Sequence, residues 1–131
     1  MNLKDRTNLL NDLCARIPYG IKCQCLGRVG TIRSIDTFGN TEVEGFSGSI
    51  VIDVSHVKPY LFPMSSMTED QIEEFNSYFA SVPYYGGNEH EHVVPYYFVE
   101  LLIEFFHKNH IDNNGLISKG LAIDATGLNI Y

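Results

Sequence analysis

The sequence predicts an α+β fold: an N-terminal helix, a small antiparallel sheet or SH3-like barrel of four to five strands, then two to three C-terminal helices. Three observations carry this expectation. Apolar residues recur at helical spacing near the start. Short alternating runs rich in β-branched residues, broken by glycines, fill residues 21–54. From residue 68 onward the apolar period is that of a helix again.

In the first segment Leu3, Leu10, Leu13, Cys14 and Ile17 fit one helical face, and Pro18 and Gly20 stop it. A helix over 3–16 follows, with Cys14 read as a small buried residue. Residues 21–26 alternate, Gly27 and Arg28 form a turn, and residues 29–35 alternate again. Residues 36–40 read as a loop, and 41–46 and 49–54 as two further strands around Gly45, Ser47 and Gly48. Glycine-punctuated strands of this length suit a strongly bent sheet or partly closed barrel.

Pro59 and Pro63 then hold the chain extended. Between them Tyr60, Leu61 and Phe62 are apolar enough to lie against the core. Thr68 and Gln71 have the spacing of a capping box, Met67 and Ile72 that of a hydrophobic staple, and Glu69 and Asp70 occupy the first turn. A helix therefore begins at Thr68, with Ile72, Phe75, Phe79 and Val82 as its apolar stripe and Pro83 as its stop. Pro95 suits the first turn of another helix running to Lys108. On it Phe98, Leu101, Leu102, Phe105 and Phe106 face inward, and Glu100, Glu104 and Lys108 lie outside. Asn113, Asn114 and Gly115 break the chain, and 116–122 reads as one short helix or helical turn.

At 131 residues one domain is expected over 1–131: helix plus β unit at 1–57, Pro-flanked connector at 58–67, helical layer at 68–131. The first six residues lack the apolar run of a secretory signal, and Glu100 and Glu104 interrupt the most apolar window. A cytoplasmic protein with no membrane partner is expected. Residues 1–66 carry seven Lys/Arg against six Asp/Glu, whereas 67–131 carry two against ten, so the net charge of −7 sits in the second half. Such acidity disfavours nucleic acid unless a basic face is set apart from it. Three cysteines without a leader are expected as free thiols.

Cys23 and Cys25, two apart on a strand, could join His90 and His92 in a tetrahedral Cys₂His₂ site. The usual two-residue gap between the cysteines is absent, and two strand thiols and two loop imidazoles explain the same residues, so no cofactor is expected. His107 and His110 suit a helix C-terminus, where imidazoles satisfy terminal carbonyls. The run from Gly45 to Ser49 is not a G-x-S-x-G elbow, and Gly27 to Gly30 lacks the length and lysine of a phosphate loop. No catalytic residue is nominated. Tyr84 and Tyr85 beside Gly86 and Gly87 resemble an adaptable binding loop.

Residues 13–22, 58–68 and 109–122 resemble segments of a family of small proteins encoded in prophages and other mobile elements of gut-dwelling anaerobic bacteria. Where that family is expected to carry a basic residue and an aromatic, this chain has Phe62 and Ile111. The resemblance implies a mobile-element accessory protein and assigns no activity. The expected function is a non-catalytic binding module engaging a protein partner through Tyr60, Phe62, Tyr84 and Tyr85. The alternatives are a nucleic-acid-binding barrel using Lys22, Arg28, Arg33 and Phe38, or a hydrolase or metal-binding protein without a legible motif.

Overall fold

The computed structural model describes residues 1–80 and 96–131. Helix α1 spans Leu3–Arg16, capped by the Asn2 side chain, which accepts from the Asp5 amide at 2.8 Å. A 3-10 turn over Ile17–Tyr19 and a left-handed Gly20 end it. Strands β1 (Lys22–Cys25), β2 (Arg28–Ile35), β3 (Asn40–Glu44), β4 (Ser49–Asp53) and β5 (Lys58–Leu61) follow. Then come α2 (Glu69–Ala80), α3 (Tyr96–Lys108) and the two-residue β6 (Ile123–Asp124).

The strands form one open six-stranded sheet in the order β4-β3-β2-β1-β5-β6, antiparallel except for the parallel β5–β6 pair. Of the two shapes expected, the antiparallel sheet is found. A barrel would need the ends to meet, whereas β4 and β6 lie at opposite edges. Burial alternates along β1, with Cys23 and Cys25 inward and Gln24 outward. The same inner face carries Ile32 and Val43, on which Leu9 and Leu13 of α1 pack. Gly30 is required there, because a Cβ would stand 2.4 Å from the Val43 Cγ1 and 2.9 Å from the Glu44 carbonyl.

Several expectations are corrected. Cys14 is exposed, because the buried stripe of α1 runs through Leu9, Asp12, Leu13 and Arg16 instead. Leu3 is exposed as well. The connector contains strand β5, which pairs with β1 through Lys58 and Pro59 and with β6 through Tyr60 and Leu61. Of the two forms expected for residues 116–122, the turn is found, over 116–120. Asp112 holds that turn by accepting from the Leu116 and Ile117 amides, both at 2.9 Å. Leu101, expected inward, is partly exposed, while Phe98 and Phe105 are buried. Lys108 pairs across helices with Glu74 at 2.6 Å.

The capping box forms. The Gln71 amide donates to the Thr68 hydroxyl at 3.2 Å, and the Thr68 amide donates to the Gln71 side chain at 3.0 Å. Helices α2 and α3 meet through rings: Phe75 contacts Phe105 and Phe106, and Phe79 contacts Phe98 edge-on at 5.1 Å.

The β1–β5 seam has an unusual closure. Register places Lys22 opposite Tyr60, where the next ladder bond would fall. There the Tyr131 hydroxyl takes both roles, accepting from the Lys22 amide at 3.1 Å and donating to the Tyr60 carbonyl at 2.7 Å. The Tyr131 ring stacks on His110 at 3.7 Å and 9°.

Candidate functional site

A cavity of 390 Å³ opens between α1, α3 and the turn that follows α3. Helix α1 contributes Asn8, Asn11, Asp12 and Ala15, which share one side of a helix at spacings of three and four. Helix α3 contributes Ile103 and His107, one turn apart. The following loop contributes Asn113, Asn114 and Lys119.

The floor is a buried ion pair. Asp12 and Arg16 are both fully covered side chains, with Arg16 Nε donating to Asp12 Oδ2 at 2.8 Å. Arg16 Nη2 also donates to Asp12 Oδ1, the Ile111 carbonyl and Asn113 Oδ1, the last two at 2.8 and 2.9 Å. Asn114 Nδ2 donates to Asp12 Oδ1 at 2.7 Å. The Asp12 carboxylate is thereby consumed by structural donors, and Arg16 ties α1 to the loop beyond α3. Arg16 Nη1 is enclosed and has no hydrogen-bond partner among the described residues.

What remains for a ligand is a set of hydrogen-bonding groups with one charge. Asn113 turns its oxygen to Arg16, which leaves its NH₂ group available, and Asn114 keeps its oxygen. Lys119 supplies a cation at the exposed turn. His107 is 8% exposed and lines the cavity, and its side chain makes no hydrogen bond with any described residue. Burial, followed by the charge of Arg16, lowers its pKa below the ordinary value, although Asp12 pulls the other way. A neutral imidazole offers one donor and one acceptor.

The residues nominated from sequence are scattered. Tyr60 is buried at 6% exposure in β5, so its ring belongs to the core and not to a contact surface. Phe62 is half-buried, 5.9 Å from the Tyr131 ring. Tyr84, Tyr85, His90 and His92, with Pro95, lie outside the described residues. Among the basic candidates, Arg33 is engaged by Glu44, and Arg28 stands 5.9 Å from the Phe46 ring. Phe38 is 80% exposed in the turn beyond the far end of β2, whereas Arg28 opens that strand, roughly 23 Å from its last residue. Lys22, half-buried on β1, faces Thr31. These four residues do not form one patch.

Cys23 and Cys25 both point into the core. Burial, then the neighbouring Cys25, pushes the Cys23 thiol up to about 12, so it sits in the core as a neutral thiol. Among the described residues no three His, Cys, Asp or Glu side chains are placed to hold a metal ion. Among them too, no helix is long and apolar enough to cross a membrane.

The cavity was missed in the sequence, but it left one signal. Asp12 and Arg16 fall three and seven residues after Leu9, where the apolar stripe of α1 should continue. Charged residues at core spacing mark a buried polar network. The chain matches no family model, no curated protein and no solved structure.

Proposed function

We propose that the protein is a binding module for a small polar molecule bearing an anionic group, held in the cavity between α1, α3 and the 113–119 turn. The observation that carries this is the imidazole of His107 on the cavity wall, which has no side-chain hydrogen bond among the described residues. The His107 nitrogens are not enclosed, so from the cavity wall they are open to hydrogen-bond a polar occupant. Lys119 supports an anionic group, because the Asp12 charge is already offset by Arg16 and Asn114. Asn8, Asn11 and Asn113 supply orientation without charge. The reading fits an accessory role on a mobile element, as the resemblance at residues 13–22, 58–68 and 109–122 implies.

The test is ligand-observed NMR with a panel of amino acids, dicarboxylates, sugars and nucleosides, on the native chain and on Ala15→Phe. Ala15 is exposed on the cavity wall, so a phenyl ring there fills the space without disturbing the core. A carboxylate-bearing panel member should bind and lose about tenfold or more in affinity in the variant. Absence of any binding across the panel, or equal binding to both proteins, refutes the assignment.

A further inference from the structure

Among the described residues strand β4 is an open edge of the sheet, and its features point to one occupant. Its sequence, Ser49-Ile50-Val51-Ile52-Asp53, is nearly symmetric about Val51. Its pairing with β3 is regular from end to end, with no bulge, and it contains no proline or lysine. Those are the usual devices that blunt an edge strand. The opposite edge needs none, because β6 is two residues long.

The direction of the unpaired groups follows from the ladder. The Val54 amide donates to the Gly39 carbonyl at 2.8 Å, and the Gly45 amide to the Gly48 carbonyl at 3.2 Å. Hydrogen-bonded pairs alternate in an antiparallel ladder. Ile50 and Ile52 therefore turn their backbone groups toward Val43 and Thr41. The amides and carbonyls of Ser49, Val51 and Asp53 point away from the sheet. Val51 is also 68% exposed, while Ile50 and Ile52 are half-buried at the rim of the core.

We propose that β4 pairs antiparallel with β4 of a second copy of this chain, about a two-fold axis at Val51. That register sets Val51 against Val51 and Ser49 against Asp53 of the second copy, which satisfies about six outward backbone groups as hydrogen bonds from each side. Ile50 then lies beside Ile52 of the second copy on the inner face, and the two apolar rims become continuous. An isologous contact requires a self-complementary patch, and a strand symmetric about its centre meets that requirement where an arbitrary partner strand would not. One strand pair is smaller than a standard interface, so the dimer is weak and concentration-dependent. Each copy carries −7, so added salt should strengthen the association.

Sedimentation velocity up to about 1 mM protein tests this. The native chain should shift from monomer toward dimer with concentration, and Val51→Lys should remain monomeric with an unchanged melting temperature. Geometry is tested by cross-linking in a Cys14→Ser background. Val51→Cys should oxidise to a disulfide-linked dimer, because opposed residues in such a pair stand about 5.5 Å apart at Cα. Phe38→Cys, at a more exposed site, should not. A native chain that stays monomeric throughout, or a Val51→Lys variant that dimerises equally, overturns the proposal, as does equal cross-linking at both sites.

Discussion

His110 carries two costs at one position. Its φ is +57°, in the left-handed region, and its Nδ1 is buried without a partner among the described residues. Stacking on Tyr131 holds the ring in place, and the Phe62 amide donates to the His110 carbonyl at 2.8 Å. Burial, then the charges of Arg16 and Lys22, lower its pKa from 6.5 to about 4. Below pH 6.5 the unfolded chain therefore binds a proton that the folded chain refuses, and the folded state loses stability as pH falls toward 4. His107 is shifted in the same direction. Asp53, Asp36 and Asp124 have lowered values, so their contributions are lost at lower pH, below their ordinary 3.8. Urea midpoints should thus fall between pH 7 and pH 5, and fall less in His110→Asn. Asn tolerates the left-handed backbone and does not titrate. An equal fall in both proteins would assign the loss elsewhere.

At the level of elements, local rules decide what can be read in advance. Thr68 and Gln71 lie three residues apart, so their reciprocal bonds need nothing from the rest of the fold. Removing the hydroxyl with Thr68→Ala should cost about 1 kcal/mol in urea denaturation. A loss near zero would mean that water replaces the cap. Strand β5 shows the opposite case. Pro59 hid it, because proline is rare between two neighbours in a sheet. The chain escapes that rule by changing partners along the strand, from β1 at Lys58 and Pro59 to β6 at Tyr60 and Leu61. Cys14 misled for a related reason. It shares a helical side with Leu10 and Leu13, but burial follows Leu9, Asp12 and Arg16 once α1 meets the sheet and the loop after α3. The strand boundaries of β1 to β4 were legible because glycines and alternation mark them, whereas sheet order depends on contacts no local pattern records.

Across the whole molecule, Arg16 is the main long-range tie. It reaches the Ile111 carbonyl and Asn113, 95 and 97 residues further along the chain, while pairing with Asp12 on its own helix. Asp12→Ala leaves this guanidinium enclosed without its counter-ion and should cost about 3–5 kcal/mol, read as a lower urea midpoint. The double variant Asp12→Leu with Arg16→Met removes both charges and should recover most of that loss. Failure to recover would show that the bonds to Ile111 and Asn113 outweigh the pair itself.

The phenol of Tyr131 bridges Lys22 and Tyr60, which precede it by 109 and 71 residues. During translation, the first and fifth strands emerge long before the group that joins them at that rung. A nascent chain therefore lacks that rung until Tyr131 is available, so this part of the sheet cannot be completed simply in the order in which its strands are made.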